Sequence, residues 1–262
     1  MSVVSPISTG SDILGRSAQI EYSASPFPHI VMRDCLEPAA YAELADAYPD
    51  YLAMHPKLAS HNNTRVQLTA PRFLALPQMP ACWRDFVSQH TAAPFFASVM
   101  RVLGDALLAR RPDFAAVAGD DPASLRVAVR NTPEAQHADI LLDCQPGINT
   151  PVRKPGSVRG MHVDRDNKLV AALMYFRDPR DNSRGGDLEL FRLKPGRRAE
   201  FDRYEVSNPG ALEKVRTVRY DQNVLVMFVN SRTSFHAVSR RSRTDYPRRL
   251  VNFVIESTRL TP

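Results

Sequence analysis

Near residue 122 the hydrophobic pattern of this chain changes period, and the change leaves few folds open. Upstream, Tyr41, Leu44 and Tyr48 recur at helical spacing until Pro49 stops them, after a short strand expected in "PFPHIVMRDCL" (26 to 36). Phe96, Val99, Met100, Leu103 and Leu107 then form a long apolar stripe that makes "APFFASVMRVLGDALLARR" a core-facing helix. Downstream the pattern breaks into short runs rich in β-formers, separated by Pro, Gly and Asn: "LRVAVRN" (125 to 131), "ADILLDC" (138 to 144), "KLVAALMYF" (168 to 176), "DLELFRL" (187 to 193), "NVLVMFV" (223 to 229) and "RLVNFVIES" (249 to 257). No helical pattern alternates with these runs, so a parallel sheet is excluded and an antiparallel sandwich or barrel is expected. Residues 196 to 222 are polar and irregular around Asn208, Pro209 and Gly210, and read as an inserted loop of the kind that borders a site.

The length, 262 residues with 44% hydrophobic content, allows one domain with a substantial core. Residues 1 to 122 are read as an N-terminal arm (1 to 25) with a helical support region, and 123 to 262 as the β core. No leader pattern and no apolar window of about 20 residues is present, so neither export nor a membrane partner is expected. Cys35, Cys82 and Cys144 lie too far apart for a disulfide framework or a paired zinc spacing, which fits a reducing cytoplasm. A formal charge of +6 and a pI near 9.4 favour anionic ligands. The basic run "SRRSRTDYPRR" (239 to 249) contains one aromatic, Tyr246, and reads as a solvated loop with one inward arginine, so no nucleic-acid partner is expected. The sequence leaves the oligomeric state open.

The chemistry concentrates in "RGMHVDRDN" (159 to 167). Two apart on extended backbone, His162 and Asp164 point to one face and can hold one metal ion. Two histidines and a carboxylate on a single face of iron, with open positions opposite, form the ligand set of non-heme Fe(II) oxygenases. His236 is the candidate third ligand: it follows a strongly apolar strand and stands 74 residues after His162. His137 and Asp139 repeat the spacing, but no comparable sequel follows them. His29, His55, His61 and His90 lie in the helical half or its loops and read as surface or satisfied core histidines.

From these residues onward the chain resembles the 2-oxoglutarate- and Fe(II)-dependent dioxygenases, in particular their prolyl-hydroxylase-like branch. The resemblance covers roughly 125 to 257 and rests on "MHVDRDNKLVAALMYFRD", "RGGDLELF" and "NVLVMFVNSRTSFHAVSRRSRTDYPRRLVNFVIES", in that family's order. It implies a mainly β fold, a double-stranded β-helix (a jelly roll, cupin-like) with flanking N-terminal α-helices. It also implies His162, Asp164 and His236 as iron ligands, and an arginine after the last histidine that binds the far carboxylate of 2-oxoglutarate. Arg248 and Arg249 stand 12 and 13 residues after His236, slightly beyond the family's usual gap. Alternation puts Arg248, Leu250, Asn252 and Val254 on one face and the apolar Val251, Phe253 and Ile255 with Arg249 on the other, so Arg248 is assigned to the barrel interior. Where the family often carries a small hydroxyl residue, this chain has Leu250, and Asn252 or Tyr175 is expected to supply the missing hydrogen bond.

The resemblance further implies Fe(II), 2-oxoglutarate and O2 as cofactor and cosubstrates, ascorbate as a stimulatory reductant, and release of succinate and CO2. Because Asp164 is present, hydroxylation, or a desaturation or cyclisation begun in the same way, is expected rather than halogenation. Arg153, Arg159, Arg165 and Arg184 surround the motif in sequence and favour a small anionic metabolite or natural-product intermediate as substrate. Two other readings stay open: hydroxylation of a protein residue, and a cupin-like barrel that binds a metal or an anion without oxygenase activity.

Overall fold

The computed structural model describes residues 12–15, 19–119 and 121–261. Its N-terminal half holds strands β1 (Glu21–Ser23), β2 (His29–Arg33) and β3 (Arg65–Gln67). Between and after them come helices α1 (Pro38–Asp46), α2 (Tyr51–Met54), α3 (Ala70–Leu74), α4 (Ala81–Gln89), α5 (Ala93–Arg110) and α6 (Pro112–Ala118). The rest is nearly all β: β4 (Val127–Val129), β5 (Ile140–Asn149), β6 (Lys168–Phe176), β7 (Leu188–Leu193), β8 (Phe201–Asp202), β9 (Glu205–Val206), β10 (Leu212–Val218), β11 (Gln222–Val229), β12 (His236–Val238) and β13 (Arg248–Ser257).

The main sheet runs β1-β2-β11-β6-β13-β5-β3, with β4 parallel to β5, and a second sheet runs β10-β7-β12. His162 and His236 exchange backbone hydrogen bonds of 3.0 Å in both directions, which adds a one-residue rung beyond β12. Along the chain the path alternates between sheets, from β5 to residue 162, β6, β7 and β10, β11, β12 and β13. That winding is a double-stranded β-helix.

β6 and β11 read as uninterrupted apolar runs because both of their faces are buried. Ala171, Leu173 and Tyr175 of β6 and Val224, Val226 and Phe228 of β11 point between the sheets. Ala172, Met174, Leu225 and Met227 point the other way, against Trp83, Phe86, Val99 and Leu103 of the helical layer. The period-two alternation thus feeds two cores from one strand. Phe176 and Trp83 are in ring contact at 5.2 Å, and Tyr48 Oη donates to the carbonyls of Gly147 and Leu250, which fixes the helical layer to the sheet.

Three expectations are corrected. Residues 212–218, expected inside a loop, form β10; its strand alternation is broken by a bulge between Lys214 and Arg216, and its middle is solvent-facing, so no apolar period marks it. "LRVAVRN" yields only the short β4, parallel to β5. Within 1 to 25, Ile13 and Leu14 are fully buried and Glu21–Ser23 pairs with β2; residues 1–11 and 16–18 of the expected arm lie outside the described residues. Among the described residues no single helix is long and apolar enough to cross a membrane.

Candidate metal and cosubstrate site

The antiparallel rung between residues 162 and 236 sets both imidazoles on one face, with ring centroids 4.0 Å apart, and extended backbone brings Asp164 round to the same face. Ligand atoms of His162, Asp164 and His236 all lie within 4.8 Å of one another. Each ring is oriented from behind: His162 Nδ1 donates to the Gly160 carbonyl at 2.8 Å and His236 Nδ1 to that of Ser234 at 2.9 Å. With these tautomers assigned, each Nε2 keeps its lone pair for a ligand.

Burial lowers both histidines; for His162 the neighbouring His236 and Arg159 add to the effect. Burial alone would raise Asp164, but Lys168, whose Nζ is 3.1 Å from Oδ2, together with His236 and His162 holds it below its ordinary value. At neutral pH the cluster is therefore two neutral imidazoles and one carboxylate, the protonation state that a divalent cation requires. Phe228 packs on His236 at 4.8 Å, and Ala171, Leu173, Leu188 and Val238 line a small inner cavity of about 60 Å³ beside the three donors.

Arg248 faces the interior and is 1% exposed. Its Nε donates to Gly186 at 2.7 Å and Nη1 to Asn149 Oδ1 at 3.2 Å, and the guanidinium lies over the rings of Tyr175 (4.8 Å) and Tyr220 (5.1 Å). It forms no salt bridge with a described residue, and Nη2, Asn149 Nδ2 and Tyr175 Oη are buried without hydrogen-bond partners. A buried cation surrounded by orphaned polar groups costs stability, about 1–3 kcal/mol for each unsatisfied group, unless an anion completes it. Gly185 and Gly186 shape this end: a Cβ on Gly185 (φ +78) would lie 1.9 Å from the Arg240 carbonyl oxygen, and one on Gly186 would press on the Arg248 side chain.

Arg249 points the other way, donating to the Phe176 and Ala45 carbonyls and lying over Tyr48. Of the two expected helpers, Tyr175 is beside Arg248. Asn252 is two rungs along β13, where its Nδ2 donates to Gln145 Oε1 at 2.9 Å, and it lines the cavity beside Asp164 instead. Asn149 was not anticipated from the sequence; its signal is the β5–β13 register, which a single chain does not display. Outside the metal cluster a cavity of about 470 Å³ is lined by Arg159 and Arg165, as expected, and by the unanticipated Arg65, Arg130 and Arg203. Arg153 instead donates to the Ala59 carbonyl, and Arg184 sits on the Gly-Gly hairpin. His137 is exposed, and Asp139 is taken up by Arg126 and Arg259. Within the basic run the inward residues include Arg241, fully buried and paired with Asp181 at 2.6 Å.

No protein-family model matches this chain, and no curated protein does. Among solved structures, a Pseudomonas putida prolyl-4-hydroxylase is similar at 13% identity and TM-score 0.44, over 87% of this chain and 92% of that one. Prolyl 4-hydroxylases from Phytophthora capsici give 14% identity and TM-score 0.45, over 88% of this chain and 59% of that one. A prolyl hydroxylase from Trichoplax adhaerens, in complex with a hypoxia inducible factor oxygen degradation domain peptide fragment, gives 10% identity and TM-score 0.44, over 87% and 83%. At these scores the likeness is remote, and the functional reading rests on the side chains.

Proposed function

We propose that this chain is an Fe(II)- and 2-oxoglutarate-dependent dioxygenase that hydroxylates an unactivated carbon of a small molecule, with release of succinate and CO2. One observation carries the reading: His162, Asp164 and His236, far apart in sequence, present their donor atoms within 4.8 Å of one another at the wall of a double-stranded β-helix. The donor set suits Fe(II): His162, Asp164 and His236 would hold the ion through two neutral imidazoles and one carboxylate. Fe(II) with 2-oxoglutarate and O2 supplies the oxidising power when bound.

The chain's own residues do the rest. Gly160 and Ser234 carbonyls orient the two imidazoles, and Lys168 holds the Asp164 carboxylate in its charged form. Arg248, with Asn149 and Tyr175, offers an acid the donors that are otherwise left orphaned, and its planar fork suits the far carboxylate of 2-oxoglutarate. Phe228, Leu173 and Leu188 form an apolar wall beside the three donors, on a small cavity whose other side carries Arg65, Arg159, Lys168 and Asn252.

The test is succinate formation from 2-oxoglutarate in air with Fe(II) added. Wild type should release succinate slowly even without substrate, and His162→Ala should reduce the rate by at least about a hundredfold while circular dichroism stays unchanged. Equal succinate release by the variant overturns the reading.

A further inference from the structure

The cavity of about 470 Å³ outside the metal cluster has a marked charge excess. Six lining residues are cationic (Arg65, Arg130, Arg159, Arg165, Lys168 and Arg203), against the carboxylates Asp164 and Glu256. Three of the six are engaged: Arg130 with Glu256 at 3.1 Å, Arg159 with Glu205 at 3.2 Å and Lys168 with Asp164 at 3.1 Å. Arg65, Arg165 and Arg203 form no salt bridge with a described residue. In a larger cavity of about 790 Å³, near the ends of α5 and the chain, Arg111, Arg232 and Arg259 are matched to carboxylates and Arg110 donates to the Thr233 hydroxyl.

Arg65 is the informative residue. It lies on β3, the edge strand beyond β5, in register with Asn149, so it shares the interior face with Arg248. Its Nε is buried without a hydrogen-bond partner, and burial, with Arg248 and Arg159 nearby, lowers it to about 10. The structure makes room for it at some cost: a Cβ on Gly147 would lie 2.5 Å from the Val66 carbonyl oxygen, so only glycine lets β3 lie this close. Unlike Arg248 and Tyr175, Arg65 lines both cavities. Beside it, Gln145 Oε1 accepts from Gln67 (2.7 Å) and Asn252 (2.9 Å), while Asp143 Oδ2 accepts from Gln145 Nε2 (2.6 Å). This relay fixes three amides and leaves the Gln67 and Asn252 oxygens for a hydroxyl or an amine.

We infer that the substrate is a small hydrophilic acid, carboxylate or phosphate, whose anionic group is received by Arg65 while its hydroxyl or amine groups meet Gln67 and Asn252. The inference rests on the oxygenase reading for the word substrate, but the binding site itself does not. A cavity of this size takes a small molecule, and a half-buried guanidinium that lines the cavity with its Nε buried and unpartnered is the group that such an acid would complete.

Calorimetric titration of the full chain, loaded with Zn(II) and saturating 2-oxoglutarate, tests this with L-malate and 3-phosphoglycerate as acidic probes and glycerol as the neutral one. At least one acid should bind where glycerol gives no heat, and Arg65→Gln should weaken that acid by at least about tenfold while 2-oxoglutarate affinity moves by less than about threefold. Malate alone binding identifies a carboxylate, and 3-phosphoglycerate alone a phosphate. Binding of neither acid, or of glycerol equally well, overturns the inference. So does an Arg65→Gln variant that loses affinity for 2-oxoglutarate and not for the acid, since Arg65 would then belong with Arg248. None of these outcomes depends on turnover, whereas failure of wild type to form succinate would sink the oxygenase reading alone.

Discussion

At the residue scale, the two adjacent arginines of β13 make the sharpest contrast. Arg248 is buried against two tyrosine rings with one nitrogen orphaned, and Arg249 donates to backbone carbonyls of the helical layer. Arg248→Gln should raise the half-saturating concentration of 2-oxoglutarate by at least about tenfold. Arg249→Gln should move it by less than about threefold and instead lower unfolding stability by about 1 kcal/mol, because two carbonyls lose a donor. Steady-state saturation curves and urea unfolding of both variants separate the roles, and the reverse pattern would exchange them. That Arg248 points inward and Arg249 towards the helical layer was legible in the sequence, since the alternation of a strand with an apolar outer face puts Arg248 inside. Arg65 was not legible: it enters from a three-residue strand inside the helical half, with no period to mark it, and only the pairing of β3 with β5 carries it to the site.

At the element scale, the Gly-Gly hairpin before β7 and the packing under α4 are each open to a direct check. Gly185→Ala places a methyl against the Arg240 carbonyl at a positive φ, and should destabilise by at least about 2 kcal/mol in urea unfolding, far more than the same change at the open Gly210. His90, after α4, donates from Nδ1 to the Phe86 carbonyl and accepts the Ile13 N–H at Nε2. Burial lowers its pKa from 6.5 to about 4. The unfolded chain therefore binds the proton more tightly, so the stability from the neutral ring is complete above about pH 6.5 and is lost as pH falls towards 4. Wild type should lose about 2 kcal/mol from this group between about pH 7.5 and about pH 5, and His90→Phe should show a correspondingly smaller loss. Equal losses would contradict the assignment. Long elements with strong period, such as α5 and β11, were readable from the chain. β10 and β12 were less so: one is an edge strand with a bulge, and the other has three residues whose partners lie elsewhere.

At the scale of the whole molecule, the helical layer and the β-helix share one core across the main sheet. The single tryptophan, Trp83, is fully buried there against Tyr48, Phe86 and Phe176, so its emission reports the layer interface while far-ultraviolet dichroism reports the strands and helices together. We propose that the two halves unfold as one domain, with coincident urea midpoints for both signals; separated midpoints would divide the chain near residue 122. The architecture was foreshadowed by the change of period and the order of the motifs. The charge of the outer cavity was foreshadowed in part, by Arg159 and Arg165 beside the motif, whereas Arg65, Arg130 and Arg203 come from three distant segments.

The central claim is that three side chains form one metal centre, and anaerobic Fe(II) titration of the full chain tests it most directly. Wild type should bind one ion per chain, and His162→Ala, Asp164→Ala and His236→Ala should each lose that binding with the fold retained. A variant that still takes up Fe(II) at wild-type affinity would contradict the account.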